Sequence, residues 1–342
     1  MNPTFQNPAS VLPLICTARI EETADAATFV FRTPDSMPLS YKAGQFIVFQ
    51  VDVADEPLHR AYSLSSSPSR PEGLAVTIKR VPGGKVSNHL LDHLKPGRML
   101  RALPPAGEFN IIDCKATAQV LLFSAGSGIT PCISIARWLL DTAPQAKIHF
   151  IHSARTPTDV IMAAELERLH ADHENFTLAR VLDAPEPGRD LQGPLDQALF
   201  DWLVPELAGR TIFTCGPEAY MAAVESCARA RGFDMSHFHR ESFSPAQAKA
   251  DTDDAARYML QAPAFGKSAE IAGHQSLLEA LEAASLPIVG ACRSGVCGAC
   301  KCQVVAGEVE TRSQATLSPP ELAAGFVLAC STRAKSDLVV AL

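Results

Sequence analysis

The segment ACRSGVCGACKCQ, residues 291–303, constrains the fold of this chain more than any other stretch. It places Cys292, Cys297, Cys300 and Cys302 within eleven positions, and Cys330 follows with 29 residues between it and Cys300. The residues between the first three cysteines are mostly small, so the loop can turn tightly and bring its backbone amides close to a bound group. The C-terminal segment must therefore fold around whatever these side chains hold.

The cysteine spacing favours an iron–sulfur cluster over a zinc site. Structural zinc sites pair two C-x2-C knuckles, or one knuckle with two histidines, and neither a second knuckle nor an H-x3-H follows here. The spacing C-x4-C-x2-C with one distant cysteine is that of plant-type [2Fe–2S] ferredoxins. We therefore predict a [2Fe–2S] cluster on Cys292, Cys297, Cys300 and Cys330. Cys302 begins the next strand, and we expect it to be a small buried hydrophobic residue.

The composition excludes several classes of protein. The net charge of −7 is spread along the 342 residues without a Lys/Arg block, so we expect no nucleic-acid partner. No apolar run reaches about 18 residues, so we expect no membrane-spanning helix. The opening MNPTFQNPAS has neither the basic nor the apolar stretch of an export signal, which predicts a cytoplasmic protein. In that reducing compartment the ten cysteines are expected to be thiols or metal ligands rather than disulfides.

The sequence pattern changes three times along the chain. Residues 11–113 predict an antiparallel β-barrel, because short runs such as ATFVFRTP and GLAVTIKRV are rich in β-branched and aromatic residues and are separated by turns. Residues 114–243 alternate strands with helices and predict a doubly wound parallel sheet, whose ligands bind at the carboxyl ends of the strands. Residues 244–257 are rich in Ala and Asp and predict a linker, and residues 258–342 form the segment with the cysteine loop.

An iron–sulfur cluster accepts one electron at a time, whereas a nicotinamide donates two electrons as hydride. A chain that binds both therefore needs a cofactor that can exchange electrons in pairs and singly. A flavin takes the pair and releases electrons singly. In RAYSLSSSP, alternating strand positions carry Arg60 and Tyr62, and Ser63 follows directly. These side chains can hold a phosphate, stack on an isoalloxazine ring and bond its reactive nitrogen, respectively. Ordinary strand packing is the alternative interpretation.

The glycine turn in VPGGKVSNHL is a second candidate flavin contact. Gly83 and Gly84 form a tight turn, and Ser87 stands where a helix should begin. A glycine turn that leads into a helix N-terminus is an anion site suited to a pyrophosphate. A capped helix after a hairpin is the alternative, but the two elements together favour a flavin.

A third glycine turn, AGSGITP, follows the strand QVLLFS and precedes a helix, which again predicts a phosphate site. It departs from the dinucleotide fingerprint, because Pro131 replaces the third glycine and the next strand does not end in an acid. Downstream, TCGP places Cys215 and Gly216 at the end of another strand, on the ligand-binding edge.

The stretches RAYSLSSSP, GGKVSNHL, AGSGITP and TCGPEAYM occur in the order expected of the ferredoxin–NADP reductase superfamily, and the chain resembles it from about residue 11 onward. The resemblance implies an FAD-binding barrel, a nicotinamide-binding α/β domain and a C-terminal β-grasp ferredoxin domain. It also accounts for AGSGITP, since the superfamily has G-x-G-x-T-P there. The implied FAD contacts are Arg60, Ala61, Tyr62, Ser63, Val86, Ser87 and Asn88. The implied nicotinamide-nucleotide contacts are Gly126, Gly128, Thr130, Pro131, Cys215, Gly216 and Pro217.

Two of these residues are candidates for a catalytic role, Ser63 at the flavin and Cys215 at the nicotinamide. For Cys215 we expect a steric or positioning role and no thiolate nucleophile; a buried residue without a role is the alternative. Glu241 and Phe243, in ESFSP, are further candidate flavin neighbours, with packing an equal contender.

The nicotinamide cofactor is predicted to be NADH. NADPH requires cations around its 2′-phosphate, and Arg155, just after KIHFIHSA, is a lone candidate for that role. The resemblance implies NADH as well.

These sites predict an NADH-dependent reductase that passes electrons through FAD and [2Fe–2S] to a partner metalloprotein. RTPTDVIM, ACRSGVCGACK and LSPPELAAGFVLACS resemble the NADH oxidoreductases that serve hybrid-cluster proteins, which makes such a protein the expected partner. VTIKRVPGGKVSN is similar to the reductase components of Rieske-type oxygenases such as glycine betaine monooxygenase. A redox sensor and a reductase of small molecules are alternatives, but no segment remains for an output module or a substrate domain.

Overall fold

The computed structural model describes residues 11–54, 56–70, 73–186, 188, 190–243, 256–293, 295, 297–314 and 316–342. Two compact units result: one comprises Leu12–Ile47 and Tyr62–Phe243, and the other comprises Val48–Ala61 and the C-terminal residues from 256 onward. The predicted linker lies outside the described residues except for positions 256 and 257. No helix in the described ranges combines the length and apolar character needed to cross a membrane.

The N-terminal sheet is an antiparallel barrel of six strands in the order β4-β3-β6-β1-β2-β5. Its elements are β1 (Leu12–Thr23), β2 (Ala26–Arg32), β3 (Phe46–Val53), β4 (Glu56–Ser63), β5 (Leu74–Lys79), α1 (Lys85–His93) and β6 (Met99–Ala106). A bridge between Leu64 and Val76 connects the chain after β4 to β5 and so links the two ends of the strand order. Phe29, Phe31 and Ile78 are fully buried inside it.

Two of these strands, β1 and β6, are absent from the sequence-based prediction. Strand β1 changes register between Cys16 and Ala18 and again between Glu21 and Thr23, which breaks the alternation that marks a strand. Strand β6 contains Pro104 and Pro105, residues that normally count against a strand. Both are held by pairing with each other in the sheet rather than by their own sequence pattern.

The second sheet is parallel, with strand order β10-β9-β8-β7-β11-β12. Its elements are β7 (Gln119–Ala125), α2 (Ile129–Thr142), β8 (Lys147–Ala154), α3 (Ala163–Asp172), β9 (Phe176–Leu182), β10 (Leu191–Gln192), α4 (Gln197–Leu203), β11 (Thr211–Cys215), α5 (Glu218–Ala230) and β12 (Phe238–Glu241). The order reverses between β7 and β11, so a crevice for a ligand is expected at their carboxyl ends. The predicted doubly wound fold is confirmed.

Alternating residues of the central strands pack on the two faces of this sheet. On the α2 and α3 face, Leu122 and Phe150 pack with Ile133. On the α4 and α5 face, Phe123 and Phe200 stack with ring centroids 5.5 Å apart. Because both faces are covered, the strands read as nearly continuous apolar runs in the sequence.

The C-terminal module is a β-grasp: a mixed sheet of order β14-β13-β19-β15-β17 packed against α6. Its elements are β13 (Arg257–Ala262), β14 (Lys267–Ala272), α6 (Leu277–Ala283), β15 (Lys301–Ala306), β16 (Val309–Thr311), α7 (Pro319–Ala323), β17 (Phe326–Leu328), β18 (Thr332–Ala334) and β19 (Leu338–Ala341). Ser276 and Glu279 form a reciprocal capping box that fixes the start of α6. The cysteine loop lies between α6 and β15.

Candidate functional site

The four predicted cluster ligands lie together in the C-terminal module. The sulfur atoms of Cys300 and Cys330 are 3.2 Å apart. The Cys292 thiol hydrogen-bonds with Cys297 and with Cys330, and these bonds together with burial raise the pKa of both partners. No group of three or more His, Cys, Asp or Glu side chains in the described residues is spaced to hold a single metal ion.

The backbone around these thiols fits a thiolate-bound cluster. The amide of Gly295 donates to Cys330 Sγ at 3.1 Å, and the amide of Cys330 donates to Cys300 Sγ at 3.4 Å. Such amides stabilise the negative charge of cysteine thiolates and cluster sulfur. Gly295 and Gly298 have φ of +77° and +74°, and a Cβ on Gly295 would lie 2.8 Å from the Ser331 side chain. The loop therefore needs glycine there to keep this path.

Cys302 lies in the core of the module, as the sequence interpretation expects. It is 1% exposed and packs in the module core with residues such as Leu278 and Leu328. Burial raises the pKa of its thiol to about 12. A neutral thiol in an apolar core behaves as a small hydrophobic residue.

The end of strand β4 lies beside the end of strand β12. Ser63 is 4% exposed, and its hydroxyl donates to Glu241 Oε2 at 3.1 Å across 178 positions of sequence. Burial raises the pKa of Glu241 to about 8, so its carboxyl group is largely protonated at neutral pH. The sequence indicated both residues as candidate flavin contacts, but nothing in it showed that they touch.

The glycine turn before α1 also has the features of an anion site. Gly83 has φ of +71°, and Gly84 precedes the helix without any side-chain cap. Val86 and Ser87 are buried, and Asn88 Oδ1 is a buried atom with no hydrogen-bond partner in the described residues. Buried polar atoms are nearly always paired in folded proteins, so the Asn88 amide group is available to a polar ligand. A pyrophosphate only accepts hydrogen bonds, so it would be bound by the backbone N–H groups at the start of α1 and by the Asn88 amide with its NH₂ group turned toward the ligand.

The remaining predicted flavin contacts lie on β4 before Ser63. Arg60 is exposed, whereas Ala61 and Tyr62 are half-buried. Phe243, just after β12, is 49% exposed. An exposed aromatic ring at the end of a strand is available to a planar ligand, although its exposure alone names none.

The loops after β7 and β11 pack backbone against backbone. A Cβ on Gly128 would lie 2.1 Å from the carbonyl oxygen of Cys215, and one on Gly216 would lie 3.0 Å from Ala125 Cβ. The strands themselves pair in parallel, with Cys215 opposite Ser124. The two loops lie at the carboxyl edge where the strand order predicts a crevice. At position 128 only glycine, which has no Cβ, fits so close to the Cys215 carbonyl.

The residues predicted to contact the nucleotide lie around this edge. Gly126 has φ of +53°, and Thr130 Oγ1 donates to the carbonyl of Ser127 at 3.0 Å, which closes the turn. Pro131 is buried in the first turn of α2, and Pro217 is the N-cap of α5. Helix α2 begins at Ile129, because a 3₁₀ turn at 126–128 leads directly into it.

Two electrostatic features bear on the predicted chemistry. Cys215 is fully buried, and burial followed by the nearby Glu241 raises the pKa of its thiol well above the usual value. The thiol is therefore neutral, as expected for a residue that acts by shape.

Arg155 pairs with Asp159 at 2.8 Å while its side chain is 69% exposed, so part of its charge is already compensated.

A cavity of about 490 Å³ lies at the opposite, amino edge of the same sheet. Its lining includes Lys147, His149 and Arg210, and burial together with Arg210 lowers the pKa of His149 to about 4. None of the predicted site residues lines it.

Comparison with known families matches all three parts of the chain. Residues 13–111 match the oxidoreductase FAD-binding domain, residues 122–226 the oxidoreductase NAD-binding domain, and residues 264–335 the 2Fe-2S iron-sulfur cluster binding domain. Together the fold and the matches define an oxidoreductase with FAD, NAD and [2Fe–2S] sites in one polypeptide.

The same architecture occurs along the full length of characterised relatives. The chain is 39% identical to the "NADH oxidoreductase HCR" of Escherichia coli over 321 residues, covering 94% of each chain. It is 37% identical to the "Glycine betaine monooxygenase reductase subunit" of Pseudomonas aeruginosa over 343 residues, covering 95% of this chain and 93% of the relative. The structure of phthalate dioxygenase reductase matches it with a TM-score of 0.66, 24% identity and complete coverage of both chains. The chain belongs to the ferredoxin–NADP reductase-type family whose members join FAD- and NAD-binding domains to a C-terminal [2Fe–2S] domain.

Proposed function

We propose that this protein takes electron pairs from NADH and delivers single electrons to a partner metalloprotein, with a hybrid-cluster protein as the first candidate. The observation that carries the proposal is the joining of three cofactor domains in one chain, with 39% identity to an NADH oxidoreductase along nearly its whole length. When bound, FAD exchanges hydride with nicotinamide and passes electrons singly to a cluster. The three domains therefore account for a complete route.

The residues at the carboxyl edge of the sheet would orient the two rings rather than exchange protons. Ser63 and Glu241, joined at 3.1 Å, would present a hydroxyl and a largely neutral carboxyl group to the flavin. Arg60, Ala61 and Tyr62 would contact the same cofactor, and Val86, Ser87 and Asn88 its pyrophosphate. Hydride transfer needs no acid or base, so alignment is the main contribution of the protein.

The loops after β7 and β11 would bind the nicotinamide nucleotide. Gly126, Gly128, Thr130 and Pro131 would face its phosphates at the start of α2. Cys215, Gly216 and Pro217 would face the nicotinamide, with the buried Cys215 thiol limiting how far the ring can move. Arg155 is exposed and paired with Asp159, which supports NADH over NADPH.

The cysteine loop would be the electron outlet. Cys292, Cys297, Cys300 and Cys330 would hold the [2Fe–2S] cluster, with the Gly295 amide stabilising charge on Cys330. Cysteines that hold a metal cluster rather than form disulfides are typical of a reducing, cytoplasmic location. From residue 258 onward there are six Lys/Arg and seven Asp/Glu, so docking by net charge alone is disfavoured.

The oxygenase component of a Rieske-type system is the second candidate partner. The match to the glycine betaine monooxygenase reductase subunit extends over 343 residues, against 321 for the HCR relative. A stachydrine N-demethylase reductase subunit of Rhizobium meliloti, 31% identical over 331 residues, favours the same class.

Anaerobic stopped-flow spectroscopy with purified acceptors tests the proposal. NADH is mixed with the holoprotein and either a hybrid-cluster protein or a Rieske oxygenase component, and reduction of each acceptor is followed at its own wavelength. We expect the true partner to be reduced at least about tenfold faster than the other. Reduction of cytochrome c but of neither candidate would point to another metalloprotein. NADH oxidation without transfer to any protein acceptor would overturn electron delivery and favour a sensor.

A further inference from the structure

The serines after Ser63 in YSLSSSP remain unexplained by the proposed sites. Ser65, Ser66 and Ser67 are all buried, at 0%, 8% and 1% exposure. Burying three consecutive hydroxyl groups is unfavourable unless each finds a partner. Their partners therefore indicate what this segment does.

The hydroxyl groups of the segment bond to the barrel. Ser66 Oγ accepts from the backbone amide of Ala75 at 2.9 Å and from Tyr41 Oη at 2.8 Å. Ser65 Oγ accepts from Thr77 Oγ1 at 3.1 Å. The backbone amide of Ser65 also donates to the Ala75 carbonyl at 2.8 Å. Side chains and backbone amides of the segment therefore hold it to the barrel, and its carbonyl groups remain to be accounted for.

The carbonyl groups bond to helix α2 of the parallel sheet. Ser134 Oγ donates to the Ser66 carbonyl at 2.6 Å, and Arg137 Nη1 donates to the Ser65 carbonyl at 2.5 Å. One turn further, Asp141 accepts from Ser69 Oγ at 2.6 Å and from Arg70 Nε at 2.8 Å. The three helix residues fall at i, i+3 and i+7, so they form a single stripe on α2. We call Ser134, Arg137 and Asp141 the α2 stripe.

Arg137 is the most constrained member of the stripe. Its guanidinium group also binds Glu165 on α3, with Nε 2.8 Å from Oε1 and Nη2 bonded to Oε2. The side chains of Arg137 and Glu165 are only 14% and 20% exposed. A bidentate arginine–carboxylate pair fixes the plane and direction of the guanidinium group. Glu165 therefore aims Arg137 at the Ser65 carbonyl.

The α2 stripe connects the two halves of the proposed reaction site. Helix α2 begins directly after the loop with Gly126 and Gly128, and Ser65 lies two residues after Ser63. We propose that Arg137, oriented by Glu165, is a positioning residue that sets the distance between the flavin strand and the nicotinamide loop. The inference rests on the proposed function, since it concerns hydride transfer between cofactors held at those two places.

The effect should appear in the rate of hydride transfer rather than in binding. A displacement of about 1 Å between reacting groups costs up to roughly 100-fold in rate. We expect Arg137→Met to lower the limiting rate of flavin reduction by NADH at least about tenfold, while the Kd for NADH changes less than about threefold. Glu165→Gln should lower it by a smaller factor, and Arg137→Lys should recover part of the rate because one donor remains.

The experiment is anaerobic stopped-flow reduction of the holoprotein, with bound FAD measured for every variant. Arg229→Met is the matched control, because within the described residues Arg229 pairs only with Glu225 at i,i+4 and its side chain is 59% exposed; the limiting rate of this variant should equal that of the wild type. Hydrogen exchange followed by mass spectrometry supplies a second readout: exchange at residues 64–70 should be faster in Arg137→Met and unchanged in the control.

Several outcomes would overturn the inference. One is a wild-type limiting rate in Arg137→Met with only a lower melting temperature, and another is a rate loss no larger than the loss of bound FAD. If Arg137→Met does not fold, wild-type rates in both Arg137→Lys and Glu165→Gln would overturn it equally. If NADH fails to reduce the flavin of the wild-type protein, the proposed function fails first and the inference with it.

Discussion

The cysteine loop and the carboxyl edge of the parallel sheet are built in opposite ways. In the loop, Cys292, Cys297 and Cys300 lie within nine positions. At the sheet edge, Ser63 and Glu241 meet at 3.1 Å across 178 positions. A site of the first kind depends mainly on one tight turn, with Cys330 brought beside it from the end of β17, whereas one of the second kind depends on the whole topology of the sheet. Substitutions should therefore act locally in the loop and globally at the edge.

The largest expected effect is in the loop. Cys297→Ser or Cys330→Ser should remove the cluster's visible absorption and lower NADH-dependent cytochrome c reduction by about 100-fold or more, because a thiolate ligand is lost. Flavin reduction by NADH, followed by stopped-flow absorbance, should persist. The control is Cys302→Ser, which changes a core thiol of the same module and should keep the visible spectrum. A colourless Cys302→Ser protein would show that the ligand set is wrong.

At the sheet edge, Gly128→Ala tests whether a single substitution affects both the stability of the fold and the reaction at the site. The new Cβ would lie 2.1 Å from the Cys215 carbonyl oxygen, so the backbone has to shift. We expect the free energy of unfolding in urea to fall by about 1–3 kcal/mol, with a slower reduction of the flavin by NADH and an unchanged cluster spectrum.

Gly209→Ala is the matched control for that substitution. Gly209 has φ of +73° and no neighbour within 4 Å of its Cβ position, so only the backbone strain of about 1–2 kcal/mol applies. Normal flavin reduction in Gly128→Ala would contradict the close approach of the two loops.

The pH dependence of stability sharpens the comparison further. The pKa of Glu241 rises from 4.5 to about 8 on folding because the carboxyl group is buried. Because the folded protein binds this proton more tightly than the unfolded chain does, protonation of Glu241 stabilises the folded state. That contribution to the free energy of unfolding is complete below about pH 4.5 and is lost as the pH rises toward 8. Glu241→Gln removes the titration, so its free energy of unfolding should depend less on pH.

Chemical denaturation of the FAD-bound protein at pH 5.5, 7.0 and 8.5 measures this difference. Between the extremes, wild type should lose on the order of 2 kcal/mol relative to Glu241→Gln, after allowance for partial exposure. Parallel pH profiles for the two proteins would contradict a buried neutral carboxyl group.

The smallest effect is expected at Arg155. Its side chain is 69% exposed and already paired with Asp159, and exposed ion pairs contribute little. Arg155→Ala should change the KM for NADH by less than about threefold in steady-state assays. A strong preference of the wild type for NADPH, lost in the variant, would reverse the predicted cofactor specificity.

The contrast between the two regions also explains what the sequence could predict. The cysteine spacing predicted a ligand set whose members lie together in the structure, and the parallel sheet followed from four apolar runs such as QVLLFSAG and KIHFIHSA. Strands β1 and β6 escaped prediction because bulges and prolines hide their pattern. The Ser63–Glu241 bond and the contacts of Arg137 could not be predicted, because the local sequence pattern carries no information about contacts between elements that are distant in the chain.

The contact between Gly128 and the Cys215 carbonyl has a practical consequence for protein engineering. The backbone at Gly128 lies directly against the Cys215 carbonyl, and Gly216 lies against the small Ala125 side chain, so the segments around residues 125–131 and 214–217 have little room for a change of shape. A loop transplanted from another reductase at one of these positions would collide with its native neighbour at the other. Attempts to redesign dinucleotide preference in this protein should exchange both segments as a matched pair.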